Sequence, residues 1–287
     1  MLGLKRGGVE LHAHDEKWGE EARVTIEKLK ALLGDIVRGA EHVGSTSIPT
    51  ISAKPIIDIA LAVDCFEDII ERADLLKEAG IYYRPSASDT QQLLLASGPF
   101  YEGDGEEQTH FIHVVKMDSE EWWGYLCFRD YLRLFEDVAK EYEEIKKALM
   151  LSLKTRAEYT AGKDEFITKV RERAMALRLL GKVVCVTVDR PKGTSHPDYP
   201  EMVYPINYGY IEGTRGGDGE PIDAYILGIH EPQKLYTGKV IGIIHRKTDK
   251  EDKLLVAPKE VTVTPDEARK QTHFAERYFD IEIYLLS

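Results

Sequence analysis

Three carboxylates fall within six residues of one short loop in the last third of the chain. They are Asp218, Glu220 and Asp223, and an apolar run from Ile222 to Leu227 begins beside them, which places the acids at the mouth of a buried strand. Mg²⁺ needs oxygen ligands that converge on one point, and it takes one or two carboxylates together with substrate phosphates. The loop therefore predicts a metal site, with a solvated acidic turn as the alternative, because Asp-Gly is a common hairpin signal.

A second acidic cluster lies between Asp249 and Lys253, where acids alternate with bases shortly after Arg246. Metal ions bound to such acids polarise a phosphoryl group and generate hydroxide from water, while Lys and Arg side chains hold the peripheral oxygens. The two acidic loops and their bases together predict Mg²⁺-dependent hydrolysis of diphosphate or a related phosphoanhydride. The second cluster alone is equally compatible with a charged hairpin tip.

Three segments of this half of the chain resemble a known family. They are Tyr204-Pro205-Ile206-Asn207-Tyr208-Gly209-Tyr210-Ile211, Asp218-Gly219-Glu220-Pro221-Ile222-Asp223 and Asp249-Lys250-Glu251-Asp252-Lys253-Leu254. In these segments the chain resembles the soluble, Mg²⁺-dependent inorganic pyrophosphatases, whose fold is a five-stranded barrel. The resemblance covers residues 184–286.

The resemblance implies roles for individual residues. The implied metal ligands, together with the last acid of the second cluster, are Asp218, Glu220, Asp223, Asp249, Glu251 and Asp252. Tyr208 is expected beside the attacking water, Lys253 on a phosphate and Tyr278 at the product site. The predicted catalytic residues are therefore Tyr204, Tyr208, Asp223, Arg246, Lys253 and Tyr278.

The chain departs from that family at several positions. Glu220 and Glu251 stand where Asp is usual, and Phe279 follows Tyr278 where a phosphate-binding Lys is expected. The hairpin that normally supplies further charged residues is shortened to residues 189–197, which leaves Arg190, Lys192 and Arg246 as candidate replacements. These departures are typical of a compact branch with altered substrate preference or reduced activity.

The first half of the chain carries a different pattern. A turn, Gly44-Ser45-Thr46-Ser47, precedes the apolar run from Ile56 to Val63, whose one acid is Asp58. Nucleotidyltransferase-fold proteins hold triphosphate oxygens on such a turn and Mg²⁺ on strand acids. A second acid usually follows two positions on, where this chain has Ala60. The alternative role for Asp58 is to cap a neighbouring loop.

The likeness becomes specific over residues 9–178. The segments that carry it are Glu41-His42-Val43-Gly44-Ser45-Thr46-Ser47-Ile48-Pro49, Ala53-Lys54-Pro55-Ile56-Ile57-Asp58, Thr109-His110-Phe111-Ile112-His113, Phe128-Arg129-Asp130-Tyr131-Leu132-Arg133 and Tyr159-Thr160-Ala161-Gly162-Lys163. They resemble the GrpB-like family, which has a nucleotidyltransferase-like fold and no firmly assigned substrate. The predicted nucleotide-binding residues are His42, Gly44, Ser45, Thr46, Lys54 and Asp58.

The resemblance to the GrpB-like family implies an α+β nucleotidyltransferase-like domain over 1–180. The short strands that follow, together with the pyrophosphatase resemblance, predict an all-β five-stranded barrel with one helix over 181–287. Helices are expected over 15–33, 120–149, 156–179 and 265–275, and strands over 183–188, 222–227, 239–245, 254–257 and 279–286. The charged helix around Lys146 is expected to be solvated, with its Glu and Lys side chains paired on an exposed face.

Bulk composition limits the classes of function. The net charge of −12 disfavours nucleic-acid binding, which depends on a basic face, and no apolar run is long enough for a membrane span. The three cysteines are far apart, as expected for thiols in a reducing, cytoplasmic setting. We expect a phosphorylated small molecule or a nucleotide as partner, with a homo-oligomer left open. The competing hypothesis is a sensor in which one or both domains bind nucleotide or phosphate without turnover.

Overall fold

The computed structural model describes residues 1–152 and 156–286, and its contacts divide the chain into two compact units. The first is Met1–Thr168 and the second is Lys169–Ser287. The division falls inside a helix, ahead of the residue-180 boundary suggested by the sequence. That boundary stays a prediction.

The first unit is an α+β structure built on a mixed five-stranded sheet. Its helices are α1 (Lys17–Leu33), α2 (Glu67–Ile70), α3 (Ala73–Glu78), α4 (Pro99–Glu102), α5 (Glu120–Leu134), α6 (Glu136–Ser152) and α7 (Arg156–Ala174), the last of which continues into the second unit. Its strands are β1 (Leu4–Lys5), β2 (Gly39–Val43), β3 (Ile57–Val63), β4 (Ile81–Tyr83), β5 (Gln92–Ser97), β6 (Glu107–Gln108) and β7 (His110–Lys116). The sheet order is β2-β3-β7-β5-β4, and β1 pairs separately with β6.

Strand β3 is buried on both faces, as its apolar sequence predicts. Ile57, Ile59, Leu61 and Val63 pack in one core with the inner face of α1, and Ala60 and Ala62 pack on the opposite face with Trp122 of α5. Because side chains alternate along a strand, Asp58 shares the face of Ala60 and Ala62 and lies at the strand's beginning. The acid therefore lies on the face that α5 covers.

The second unit is a closed barrel. Its strands are β8 (Val183–Arg190), β9 (Asn207–Tyr210), β10 (Asp223–Ile226), β11 (Leu235–Arg246), β12 (Lys253–Ala257) and β13 (Ile281–Leu285), with one helix, α8 (Pro265–Glu276). The order β12-β10-β9-β8-β11 is closed by a second pairing of β11 with β12, and β13 adds to β11 outside the ring. The long strand β11 makes closure feasible, because its beginning pairs with β8 and its later residues pair with both β12 and β13.

The elements expected from the sequence are largely present in the barrel unit. Helix α8 begins at the predicted proline and has a capping box, in which Thr264 and Glu267 each satisfy a backbone N–H group of the other. Strand β9 was not expected as a strand, because the sequence Asn207–Tyr210 has too few apolar residues for a periodic pattern. The predicted strand at 239–245 is part of a longer element.

The described residues contain no helix that is long and apolar enough to cross a membrane. The three cysteines, all within the described residues, form no disulfide; Cys127 is buried, Cys65 is half-buried and Cys185 is exposed.

Candidate functional site

The barrel brings its two acidic loops together through a parallel strand pair. Strands β10 and β12 run in the same direction, with Ala224 opposite Leu254, so that Asp223 and Lys253 begin neighbouring strands at the same end of the barrel. The loops also touch each other directly. A side chain at Gly217 would overlap the carbonyl group of Lys250, so this close approach requires glycine.

Lys253 links two carboxylates at this end of the barrel. Its buried ammonium group donates a hydrogen bond of 2.6 Å to Oδ2 of Asp223 and another to Oε2 of Glu251. The Tyr208 hydroxyl donates to the same Oδ2 of Asp223. Burial alone would lower the pKa of Lys253, but the two carboxylates outweigh it and raise that pKa, so the lysine stays cationic.

Glu251 lies in an excess of negative charge. Burial raises its pKa, and the nearby carboxylates of Asp223 and Asp218 raise it further, while Lys253 opposes them. Carboxylates that disfavour one another in this way are the oxygen donor set that a divalent cation stabilises. The described residues contain no group of three His, Cys, Asp or Glu side chains already arranged around one point. The carboxylate oxygens are ligands that fit Mg²⁺, and in this structure Lys253 binds two of the carboxylates, Asp223 and Glu251.

Asp218 and Glu220 occupy the exposed part of the loop. The loop is tight, because the backbone N–H of Glu220 donates to Oδ1 of Asp218 at 3.0 Å and the N–H of Gly216 donates to the carbonyl of Glu220 at 2.7 Å. A Cβ atom at Gly216 would lie 3.5 Å from Cγ of Glu251, which places the two acidic loops side by side.

Arg246 organises the opposite side of the site. Its guanidinium group donates to both oxygens of Glu276, at 2.8 and 2.7 Å, and to Asp249 at 2.9 Å, and it lies 3.8 Å above the ring of Phe279. Burial disfavours its charge, but Glu276 outweighs burial and raises the pKa of Arg246. The hydrogen bonds from Arg246 and from the backbone of Lys250 outweigh burial at Asp249 and lower its pKa.

Asp252 corrects the set of metal ligands expected from the sequence. Its side chain is 1% exposed, and its Oδ1 accepts hydrogen bonds from Arg173, at 3.0 Å from Nε, and lies 3.2 Å from Nδ1 of His245. Glu251, one residue earlier, instead accepts a hydrogen bond from Lys253, which also binds Asp223. Asp252 therefore stabilises the barrel and is not placed to ligate a metal beside Asp223.

The residues predicted to be catalytic converge on one cavity of about 630 Å³. Tyr204, Tyr208, Arg246, Lys253 and Tyr278 line it together with Phe279, and the sixth, Asp223, is bonded to two of them. Sequence reasoning missed the further lining residues His196, Tyr199, Glu201, Met202, Tyr225, Ala275 and Arg277. They belong to no sequence motif, so no local pattern indicates them.

A second and smaller cavity, of about 140 Å³, lies in the first unit. Four of the six residues predicted to bind a nucleotide line it, namely Ser45, Thr46, Lys54 and Asp58. The remaining residues of its wall are Ile56, Phe111, Lys146, Tyr159 and Lys163. The two lysines Lys54 and Lys163 lie over the ring of Tyr159, with their Nζ atoms 3.9 and 4.7 Å from its centroid. Lysines, hydroxyls and one carboxylate thus surround a space of phosphate size.

The other two predicted residues support this cavity. Gly44 has φ +68°, and a Cβ atom there would lie 2.5 Å from Oδ2 of Asp58, so only glycine allows the turn to approach the acid. His42 Nε2 lies 2.9 Å from the Thr46 hydroxyl, and burial, only partly opposed by Asp58, lowers the pKa of His42 to about 4. The imidazole is therefore neutral near pH 7.

The two histidines of β7 lie on opposite faces of the sheet. His113 Nε2 is 3.2 Å from Oδ1 of Asp58, whereas His110 is buried with Thr25 of α1 at 3.1 Å.

Two arginines of α5 hold the turn from outside, because Arg129 pairs with Glu41 at 2.8 Å and Arg133 donates to the carbonyl of Ser47 at 2.9 and 2.7 Å.

Lys146 overturns the expectation that α6 is a solvated helix on this side. The lysine is 1% exposed, and its ammonium group donates to the carbonyl of Ser52 at 2.5 Å and lies over the ring of Tyr142. Burial, together with the charge of Lys163, lowers the pKa of Lys146 to about 7. Sequence reasoning missed it because mixed Glu and Lys residues on a helix usually mark a surface.

Comparison with known proteins agrees with this division into two sites. The GrpB protein family model matches residues 8–173, and the inorganic pyrophosphatase model matches residues 181–282. The UPF0157 protein YqkA of Bacillus subtilis is 34% identical over 167 residues, which cover 58% of this chain and 47% of that protein. An inorganic pyrophosphatase of Saccharolobus solfataricus is 33% identical over 100 residues, covering 29% of this chain and 58% of that protein.

Among solved structures, the conserved protein GrpB from Enterococcus faecalis aligns with a TM-score of 0.53 and 27% identity, covering 59% of this chain and 99% of that one. The chain spans about half of the length of the Bacillus relative and of the pyrophosphatase relative. The α+β class expected for the first unit and the small barrel expected for the second are confirmed. The nucleotidyltransferase-like character of the first unit stays a prediction. The chain therefore belongs to the GrpB protein family, and its C-terminal part carries an inorganic pyrophosphatase domain.

Proposed function

We propose that the barrel unit hydrolyses a phosphoanhydride bond, as in inorganic diphosphate, and that it requires Mg²⁺. The observation that supports this most directly is the hydrogen-bonded cluster of Tyr208, Asp223, Glu251 and Lys253, in which Tyr208 and Lys253 line the 630 Å³ cavity. Carboxylates and a buried lysine beside a substrate-sized cavity are the arrangement that metal-assisted hydrolysis needs. The family match over residues 181–282 supports the same reaction.

Asp218, Asp223 and Glu251 would hold the metal, and Glu220 and Asp249 lie at the edge of that set. Bound Mg²⁺ would supply Lewis-acid activation of the phosphoryl group and a more acidic water. The Asp223 carboxylate, which is 25% exposed, accepts a proton from the attacking water. Lys253 and Arg246 remain cationic and bind the phosphate oxygens that face the cavity.

Tyr208 keeps its proton throughout this reaction. Burial, together with the charge of Asp223, raises the pKa of Tyr208 well above 10, so the phenol donates to the Asp223 carboxylate at every physiological pH. A donor fixed on one carboxylate oxygen orients the other oxygen and holds the side chain in one rotamer. Tyr208 therefore positions the acid.

The direct test is phosphate release from diphosphate by the whole chain with and without Mg²⁺. We expect release with Mg²⁺, its loss on chelation, and a decrease of at least about 100-fold in Asp223→Asn, in the range that general-base residues contribute. Asp280→Asn is the matched control, because Asp280 is an exposed acid of the same unit. Absence of phosphate release by the intact protein from both diphosphate and a nucleoside diphosphate, or unchanged activity of Asp223→Asn, would contradict the proposal.

A second function is supported for the first unit, namely binding of a nucleotide in the cavity lined by Ser45, Thr46, Lys54 and Asp58. The neighbouring position Ala60 offers no second carboxylate, and its side chain is fully buried. This favours binding over two-metal nucleotidyl transfer. If transfer does occur, the diphosphate that it releases would be the substrate of the barrel, and hydrolysis would make the transfer irreversible.

Thermal shift with a panel of nucleotides and Mg²⁺ tests this second function, because a ligand raises stability in proportion to ln(1 + [L]/Kd). We expect a stabilising nucleotide in the wild type and a reduced shift in Lys54→Met. Turnover with release of diphosphate would establish transfer, and binding without any turnover in either unit would establish the sensor alternative. The proposed setting is the cytoplasm, with small phosphorylated molecules and no nucleic acid or membrane as partners.

A further inference from the structure

The cavity of the barrel is larger than inorganic diphosphate needs. Its volume of about 630 Å³ lies within the range of about 300–1,000 Å³ that is typical of pockets for drug-sized ligands. Lys253 and Tyr208, which both donate to Asp223, line this cavity, and His196 and Tyr199 form another part of its wall. A small inorganic ion would fill only part of the cavity.

The basic residues of the cavity are largely engaged by carboxylates. Lys253 donates to Asp223 and Glu251, and three of the five N–H donors of Arg246 go to Glu276 and Asp249. The third, Arg277, is exposed and donates to the Tyr278 hydroxyl at 2.6 Å. Glu201 adds a further negative charge to the wall. Beyond one diphosphate, a further anionic group of a ligand therefore has few partners in this cavity.

Aromatic side chains form a large part of the wall of this cavity. Tyr199 and Tyr278 are 57% and 64% exposed, which is unusual for rings of this size, and both line the cavity. The His196 ring lies 5.1 Å from that of Tyr199 and is nearly parallel to that of Tyr204, with an angle of 11°. Exposed rings of this kind bind planar heteroaromatic groups by stacking, a contact that contributes about 1–3 kcal/mol for each nucleic-acid base.

We propose that the preferred substrate is a nucleotide that contains a phosphoanhydride bond, with its base stacked on Tyr199 at the cavity opening and its diphosphate at the Asp223–Glu251 cluster. This inference rests on the hydrolytic function proposed above and specifies the substrate of the same site. The water oxygen bonds to one phosphorus, and the bond from that phosphorus to the bridging oxygen breaks. The bridging oxygen leaves with the other phosphate, and the proton of the water passes through Asp223 to solvent.

The products of ADP would be AMP and inorganic phosphate. The test compares kcat/KM of the intact protein with Mg²⁺ on ADP and on inorganic diphosphate, with AMP measured by chromatography and phosphate by its colorimetric assay. We expect ADP to exceed diphosphate by at least about tenfold, and Tyr199→Ala to lower the ratio of ADP to diphosphate by about 5- to 100-fold, the range that corresponds to loss of one stacked base. Tyr236→Ala, a tyrosine on β11 outside the cavity, is the control for a general effect of truncation.

The outcomes separate the two claims. Hydrolysis of diphosphate in preference to ADP, or a ratio that Tyr199→Ala leaves unchanged, overturns the substrate proposal and leaves the hydrolytic function standing. Absence of products from both substrates overturns the hydrolytic function and the substrate proposal together. A preference for ADP that Tyr199→Ala selectively removes supports both.

Discussion

Lys253 and Tyr208 meet at one oxygen atom, because both donate a hydrogen bond to Oδ2 of Asp223. The Lys253 ammonium group balances the charge of the Asp223 carboxylate, and the Tyr208 phenol fixes the orientation of that carboxylate. We expect Tyr208→Phe to keep the charge balance but release the carboxylate from its fixed rotamer. The kcat should fall by about 10- to 100-fold, as for loss of a residue that orients a metal ligand, and the free energy of unfolding should fall by about 1 kcal/mol.

Steady-state kinetics and chemical denaturation measure these two effects. Tyr210→Phe is the control on the same strand, because Tyr210 is also half-buried but does not line the cavity. A Tyr208→Phe variant with wild-type kcat at saturating Mg²⁺ would show that Lys253 alone positions Asp223.

A comparison of alanine substitutions at Gly44 and Gly34 distinguishes the cost of steric overlap from the cost of backbone strain. Both have positive φ, +68° and +58°, in a region that side chains rarely adopt, but a Cβ atom would meet Asp58 only at Gly44 and would meet nothing within 4 Å at Gly34. We expect Gly34→Ala to cost about 1–3 kcal/mol from strain alone. Gly44→Ala should cost about 1–3 kcal/mol more, because the new methyl group displaces Asp58.

Denaturation of the first unit and nucleotide thermal shift check this prediction. Only Gly44→Ala should also reduce the ligand-induced shift. Equal costs at the two positions would mean that the turn relaxes away from Asp58 without penalty.

Arg173 is the cation that the buried Asp252 needs. Its guanidinium group is 9% exposed and binds the Asp252 carboxylate, the carbonyl of Asp249 at 3.0 Å and the carbonyl of Arg246. Removal of one partner from such a pair leaves an uncompensated buried charge, so Arg173→Ala should destabilise the barrel unit by about 3–5 kcal/mol.

A double variant distinguishes the charge from general loss of packing. Arg173→Ala combined with Asp252→Ala should lose less than the sum of the single variants, whereas strict additivity would contradict the pairing. Arg269→Ala on the exposed face of α8 is the control, with no measurable effect expected.

Lys146 should make the stability of the first unit depend on pH. Its pKa in the folded state is about 7, below its ordinary value of 10.5, so between these values the unfolded chain binds more protons than the folded chain. The free energy of unfolding should therefore rise with pH across this window, on the order of a few kcal/mol, and the gain should be absent below pH 7.

Lys146→Met isolates this contribution, because it removes the titrating group and keeps the length of the side chain. Unfolding free energies from pH 6 to 10 should rise more steeply in the wild type than in the variant. Lys140→Met, at an exposed lysine on the same helix that pairs with Glu136, should follow the wild type. Parallel curves for wild type and Lys146→Met would contradict a depressed pKa.

The candidate barrel site could be proposed from the sequence because its residues lie close together along the chain. Asp218, Asp223 and Glu251 lie in two short loops, and a motif of that length identifies them without knowledge of the fold. The assembly of five predicted catalytic residues around one cavity required no correction, although their roles stay predictions. The boundary of the units, by contrast, falls inside the continuous helix α7, where sequence shows no change of pattern.

The residues that sequence reasoning misplaced are those whose surroundings come from distant segments. Asp252 is one residue from Glu251, yet it turns towards Arg173, which is 79 positions away. The sequence around Lys146 is typical of a surface helix, but in the fold its ammonium group is buried and donates to the carbonyl of Ser52, 94 positions away. His196 and Tyr199 could be identified only from the fold, which places them in the wall of the cavity that Lys253 also lines. Such pairings have no local pattern.

The parallel pairing of β10 with β12 has a consequence for how this site can vary. Asp223 and Lys253 are the first residues of two strands that pair with each other, so the pairing fixes them side by side. The 29 residues between them include the connection at residues 227–234, and the conformation of that connection does not change the pairing. Lengthening or replacing that connection therefore leaves the reacting groups in register. The barrel can exchange its surface loops, and with them the ligands it selects, while the same acid and lysine carry out the same bond cleavage.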